Sequence, residues 1–213
     1  MTAITDARLY LVAPASIGAG ELVSLVPELA AAGVDLIQLR EKEMEAGEIL
    51  RVGAPLAAAC ADAGVCFIVN DRADVALALD APGLHLGQND LPVGVARRIL
   101  GTAIIGRSTH SSEEIDRIAD SDAPVDYIAV GPVFATPTKP GRPAVGPDLV
   151  SYAAERSPVP WFAIGGINAS NIDEVIGAGA RRVVVVRAIT EAADPVAAAA
   201  ALRERLDRAP APP

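Results

Sequence analysis

The chain has 213 residues, 51% of them hydrophobic, enough for one sizeable core and a length that suits one domain. Its formal net charge is -9, from 18 basic and 27 acidic residues, which argues against nucleic-acid binding, where a basic face is expected. Any anionic ligand must therefore be held by local cations against an unfavourable overall field.

Residues 1–8 show no basic stretch followed by an apolar one, so no secretory signal is read there. No apolar run along the chain reaches the ~18 residues that span a bilayer. The expectation is a soluble, cytoplasmic protein. Residues 8–13 are a short apolar run stopped by Pro14, a buried strand. Residues 21–32 place Leu22, Leu25, Val26 and Leu29 at helical spacing and stop at Gly33. A second strand covers 36–40, and a helix covers 46–63 and closes at Gly64. The third strand is 66–70, followed by Asp71, Arg72 and a short helix over 73–79. Cys60 and Cys66 form neither a C-x-x-C motif nor a disulfide framework and read as small buried hydrophobes. The fourth strand is 83–87, with Gln88, Asn89 and Asp90 as its loop. A helix over 93–100 precedes Gly101, and the fifth strand is 103–107. Ser111 with Glu114 three residues later fits a capping box that opens a helix. The sixth strand is 127–130, followed by a long loop, 131–146, and a helix over 147–155. The seventh strand, 161–164, ends in Gly165 and Gly166. A helix over 170–176 follows, with Ser170 and Asp173 as its starting pair. The eighth strand is 182–186 and the last helix 195–206. Residues 209–213 have no apolar pattern and are expected to fray.

Strands alternating with helices imply parallel pairing, because each crossover returns the chain to the same end of the sheet. Eight such units close as a single-domain (β/α)8 TIM barrel over residues 1–208, an α/β fold. An open doubly wound sheet is the alternative. The absence of G-x-G-x-x-G after the first strand and of any domain linker weighs against it. With aromatic residues at 3%, the core is expected to be built from Ala, Val, Leu and Ile.

In this architecture chemistry collects where strands end. The second strand leads through Gln38, Leu39 and Arg40 to Glu41 and Lys42. The third ends in Asn70, Asp71 and Arg72, the fourth in Gln88 and Asp90, and the fifth in Arg107, Ser108, Thr109 and His110. The sixth loop carries Thr136, Thr138, Lys139 and Arg142, and the eighth strand runs into Arg187. The chain has two lysines, Lys42 and Lys139, and both fall on this rim. Asp71 and Asp90 leave neighbouring strands, ~4.8 Å apart in a sheet, so their carboxylates can share a hard cation such as Mg2+. The plainer readings are a helix N-cap for Asp71 and a turn residue for Asp90. Arg40, Lys42 and Lys139 are either solvated charges or a diphosphate clamp. Gly165 and Gly166 are either an ordinary turn or a source of backbone N–H groups for a second phosphate. His85, between Leu84 and Leu86, reads as a packed strand residue rather than a base. No Ser-His-Asp, Cys-His or zinc-binding spacing is present.

Six segments in order resemble the thiamine-phosphate synthase family: Q-L-R-E-K from Gln38, N-D-R-A-D from Asn70, H-L-G-Q-N-D from His85, G-R-S-T-H-S from Gly106, G-P-V-F-A-T-P-T-K from Gly131 and A-I-G-G-I from Ala163. The resemblance implies an enzyme that joins 4-amino-2-methyl-5-(diphosphooxymethyl)pyrimidine to a thiazole phosphate with Mg2+, releasing diphosphate and forming thiamine phosphate. It assigns the pyrimidine diphosphate to Gln38, Leu39, Arg40, Glu41, Lys42, Asn70, Ser108 and Lys139. Of these, Arg40, Lys42, Ser108 and Lys139 stabilise the leaving group. It assigns the metal to Asp71 and Asp90, and the thiazole phosphate to Thr136, Pro137, Thr138, Gly166, Val186 and Arg187. Where this chain has Arg187, serine is common in the family. The partners implied are small phosphorylated substrates, with no nucleic acid and no membrane; a homo-oligomer is left open. Two alternatives share the barrel. A thiazole tautomerase would lack the paired aspartates and carry a histidine where this chain has Pro132. A phosphate-ligand sensor would bind without turnover.

Overall fold

The computed structural model describes residues 4–17, 20–120, 123–136 and 143–210. The first barrel strand, β1 (Leu9–Ala13), leads to a small antiparallel ladder of β2 (Ser16–Ile17) and β3 (Gly20–Glu21). Then come α1 (Leu22–Ala31), β4 (Leu36–Leu39), α2 (Ala46–Asp62), β5 (Cys66–Asn70), α3 (Ala73–Ala78) and β6 (Gly83–Leu86). The chain continues through α4 (Val93–Leu100), β7 (Ile104–Thr109), α5 (Ser112–Ala119), β8 (Tyr127–Val130), α6 (Gly146–Arg156) and β9 (Trp161–Ile164). It closes with α7 (Ile172–Gly177), β10 (Val183–Val185), α8 (Arg187–Thr190) and α9 (Pro195–Arg208).

All strands but the β2–β3 ladder pair in parallel, and they close: β1 lies between β10 and β4. The (β/α)8 barrel expected from the alternation is therefore present, and the open sheet is excluded. The β2–β3 ladder and α8 escaped the sequence reading because two- and four-residue elements are too short to show a period.

Successive residues of a strand face opposite sides, and the core divides accordingly. Leu9, Leu11, Ile37, Leu39, Phe67, Val69, Leu84 and Leu86 pack outward under the helices. Tyr10, Val12, Leu36, Ile68, Tyr127, Phe162 and Val184 fill the barrel. The outer layer is mostly aliphatic, as expected. The interior is not: Tyr10, Tyr127 and Phe162 meet edge to face, with centroids 5.5–6.0 Å apart. A composition of 3% aromatics says how few rings there are, not where they gather.

Two helix starts differ from the reading. Ser111 Oγ accepts from Glu114 N at 3.3 Å, but the Glu114 carboxylate accepts from His110 N instead of reaching back to Ser111. At α7 the N-cap is Asn171, and Ser170 bonds the Asn168 side chain through both its N–H and its hydroxyl. The helix therefore begins two residues later than the Ser170–Asp173 spacing suggests. α9 runs on to Arg208, two residues past its predicted end.

Candidate active site

The C-terminal ends of the strands form a mouth with two adjoining cavities. The first, about 90 Å3, is lined by Gln38, Arg40, Lys42, Asn70, Asp71, Asp90 and Ser108, with Tyr10, Val12, His85 and Gly87 behind them. The second, about 230 Å3 and more apolar, is lined by His110, Pro132, Thr136, Gly165, Gly166, Asn168 and Arg187. Ile164, Val184 and Val186 belong to both, so one thin apolar wall joins the two spaces.

Strand alternation sorts the segment that begins at Gln38. Gln38 and Arg40 face the first cavity, while Leu39 packs outward in the helix-facing core. Glu41 accepts from Ala15 N at 2.6 Å, which ties the loop after β1 to the loop after β4. Neither Leu39 nor Glu41 lines the cavity; they hold the loop that presents Arg40 and Lys42. Arg107 also leaves the mouth: it donates to Gln88 Oε1 at 3.2 Å, and Gln88 donates to Ser108 O at 2.5 Å. Lys139, Thr138 and Pro137, together with Arg142, lie outside the described residues.

Asp71 adopts a left-handed backbone, φ 62°, immediately after β5. Aspartate tolerates that region better than most residues, yet such geometry off glycine is uncommon and favours functional positions. Asp71 is not a helix N-cap; that position is Arg72, and no side chain caps it. The turn carries the Asp71 carboxylate into the mouth, where Oδ2 accepts from Lys42 Nζ at 2.5 Å. Asp90 does hold its turn, accepting from Gly87 N at 2.7 Å, and it also meets Asp71. Burial pushes the Asp71 carboxyl above its ordinary range, and the hydrogen bond with Asp90 adds to this. Burial acts upward on Asp90 too, but the hydrogen bonds from Asp71 and from Gly87 N–H outweigh it and draw Asp90 down. Two crowded carboxylates are a site that gains from a cation.

Among the described residues no cluster of three or more His, Cys, Asp or Glu side chains is placed to hold a metal. The pair nevertheless suits Mg2+. That ion keeps several waters and takes one or two carboxylates plus substrate oxygens rather than a full protein cage.

The second cavity is shaped by close backbone contacts. Gly165 (φ 104°) and Gly166 (φ 67°) sit in left-handed conformations. A Cβ at Gly165 would lie 2.4 Å from Pro132 Cα, and one at Gly166 would lie 2.7 Å from Phe134 Cβ. Asn171 and Asn168 amides donate to the Gly166 carbonyl at 3.0 and 3.3 Å. The turn after the seventh barrel strand is thereby held by two side-chain hydrogen bonds, and with the loop after the eighth strand it occupies the usual phosphate position of a (β/α)8 barrel. Arg187 reaches the rim there and pairs with Glu191 at 2.7 Å.

Tyr10, Val12, His85 and Gly87 were not among the residues that the sequence assigned to the mouth. Tyr10 and Val12 could have been found: they hold the odd-one-out phase of β1 against Leu9 and Leu11. His85 is buried as expected, but it is hydrogen-bonded on both ring nitrogens, to Tyr127 and Ser108.

A family model described as thiamine monophosphate synthase matches residues 9–189. A thiamine-phosphate synthase of Acidothermus cellulolyticus is 55% identical over 205 residues, 95% of this chain and 96% of that protein. One from Thermobifida fusca is 53% identical over 205 residues, 95% of this chain and 94% of that protein. The solved structure of thiamine phosphate pyrophosphorylase from Pyrococcus furiosus superposes with a TM-score of 0.86 at 32% identity, covering 96% of this chain and 98% of that one.

Proposed function

This chain belongs to the thiamine monophosphate synthase family, and on that footing we propose how its mouth carries out the family's reaction. The enzyme is a transferase that couples a pyrimidine-methyl diphosphate to a thiazole phosphate, giving thiamine phosphate and diphosphate. The observation that carries the assignment to this site is the pair of adjoining cavities, one charged and one apolar, with Ile164, Val184 and Val186 as their common wall.

The diphosphate end of the pyrimidine fits the charged cavity. Arg40 offers a planar fork to phosphate oxygens, Lys42 a point charge, and Asn70 and Ser108 neutral donors. Lys139, from the sixth loop, completes this set in the proposal, and Leu39 and Glu41 act through the loop that they anchor. The thiazole phosphate fits the second cavity, its phosphate near Thr136, Pro137, Thr138, Gly166, Val186 and Arg187. Asp71 and Asp90 would hold Mg2+, which, when bound, neutralises charge on the departing diphosphate.

In the proposed step the carbon–oxygen bond to diphosphate breaks first. Diphosphate leaves with the electron pair, and the thiazole nitrogen donates its lone pair to the pyrimidine-methyl cation. No proton must be removed, so no strong base is required. What the chain supplies is charge stabilisation of the leaving group and alignment of two partners across one wall. The chemistry acts on soluble phosphorylated molecules, which fits a cytoplasmic enzyme. No helix among the described residues is long and apolar enough to cross a membrane.

The test is direct. Pure protein is incubated with both substrates and Mg2+, and diphosphate and thiamine phosphate are followed together. Stoichiometric release that requires both substrates is expected. A tautomerase would isomerise the thiazole without releasing diphosphate, and a sensor would bind without turnover; either result would refute the proposal.

A further inference from the structure

A file of polar side chains, of which Tyr10, Tyr127 and His85 have no part in the reaction above, runs through the barrel between two walls of the charged cavity. Gln38 Nε2 donates to Tyr10 OH at 2.5 Å. Tyr10 OH and Tyr127 OH are 3.0 Å apart. Tyr127 OH lies 3.0 Å from His85 Nδ1, and His85 Nε2 lies 3.0 Å from Ser108 Oγ. All five residues are buried. The backbone makes room for the middle of the file: a Cβ at Gly106 would lie 2.0 Å from Tyr127 Cζ and 2.4 Å from its hydroxyl. Polar groups buried in this way are costly unless each proton meets an acceptor.

Counting protons gives the file a direction. A phenol has one proton, and a neutral imidazole has one, on either nitrogen. Gln38 Nε2 can only donate, so Tyr10 oxygen accepts there and sends its own proton to Tyr127. With His85 neutral, the Tyr127 proton then goes to Nδ1, which is the bare nitrogen. His85 Nε2 therefore carries its proton and gives it to Ser108 Oγ. With its oxygen accepting from His85, Ser108 is left to direct its hydroxyl proton into the cavity. The opposite order would put two donors on Tyr10 oxygen and turn the Ser108 proton inward, towards His85.

We propose that Tyr10, Tyr127 and His85, oriented by Gln38, are positioning residues that hold Ser108 as a hydrogen-bond donor to the diphosphate. The inference rests on the reading of Ser108 as a diphosphate ligand. Its benefit is preorganisation: a hydroxyl already aimed at the developing charge needs no reorientation during the reaction.

Two measurements test it. The chain has two histidines, so 15N-histidine labelling gives two sets of ring signals. His110 Nδ1 contacts the Gly131 carbonyl, which can only accept, so that nitrogen carries a proton. His85 is expected in the opposite tautomer, with its proton on Nε2, in the ligand-free wild-type protein. A proton on Nδ1 of His85 would overturn the proposal. The second measurement is kinetic. Tyr127→Phe is expected to lower kcat about tenfold, the worth of one hydrogen bond, with KM for the pyrimidine diphosphate changed less than about twofold. In a Ser108→Ala background the same change should cost less than about twofold further, because Tyr127 acts through Ser108. Full retention of the tenfold penalty in that background would refute the role. The tautomer measurement needs neither substrate nor variant. It therefore fails or succeeds separately from the functional reading, which wild-type turnover decides.

Discussion

Gly106→Ala shows how closely the barrel interior dictates the site. Gly106 lies in β7 and is not among the glycines with a left-handed backbone, so alanine meets no conformational penalty there. The cost is steric. The new methyl would sit 2.0, 2.3 and 2.4 Å from Tyr127 Cζ, Cε1 and OH. Carbon atoms rest at ~3.5–4.0 Å, so the ring must shift by about 1.5 Å. It has little room, since Tyr127 is fully buried, edge to face with Tyr10 and Phe162 and tilted against His85. Overpacking of this kind costs ~1–3 kcal/mol. Losing the contacts to Tyr10 and His85 adds ~1 kcal/mol each. A total of ~3–5 kcal/mol is a large part of a typical stability of ~5–15 kcal/mol. At ~2–4 °C per kcal/mol for a domain of this size, Tm should fall by ~6–20 °C. Thermal unfolding followed by circular dichroism measures it. In a Tyr127→Leu background, where the colliding ring atoms are gone, Gly106→Ala should cost under ~1 kcal/mol. An unchanged Tm in the single variant, or an equal penalty in both backgrounds, would refute the reasoning.

Asp71→Ala and Asp90→Ala should each abolish Mg2+-dependent turnover while leaving the circular dichroism spectrum intact, since both residues sit on the rim; unchanged Mg2+ dependence in both variants would remove the metal from this pair. Arg187→Ser should barely alter stability, because its ion pair with Glu191 is about half exposed and solvent screens such pairs. Steady-state kinetics should instead show KM for the thiazole phosphate rising roughly tenfold, as for loss of one charged hydrogen bond; an unchanged KM would place Arg187 outside the phosphate site. Burial pushes the Cys60 thiol up to about 12 and the Cys66 thiol up to about 11. A disulfide reagent at pH 8 should therefore label neither in the folded chain and both in denaturant. Because both folded values are raised, the protons they retain favour the native state below the unfolded thiol's ~8.5 and that contribution is lost as pH rises toward 11 and 12. Rapid labelling of folded protein would contradict the burial.

Much of this site was legible before any coordinates. Gln38, Arg40, Lys42, Asn70, Asp71, Asp90 and Ser108 occupy strand ends, and a (β/α)8 barrel brings strand ends together whatever separates them in sequence. The same rule placed Thr136, Gly166 and Arg187 at the second cavity, and the family resemblance added Val186. Leu39 and Glu41 show where the rule stops. A motif names consecutive residues, but a strand sends alternate ones to opposite faces, so neither lines the cavity beside Gln38 and Arg40.

The sequence by itself determined the alternation of strands and helices, the parallel pairing and the rim on which the charges fall. Each of these follows from local periodicity or from the fixed sense of a crossover, and both are written in short stretches of chain. Tertiary structure alone decided that Asp71 turns left-handed to meet Asp90 and Lys42, that three rings fill the barrel, and that Gly106 is bare to admit Tyr127. Those features depend on atoms tens of residues apart meeting at ångström range, and no pattern along a single strand records the distance between two.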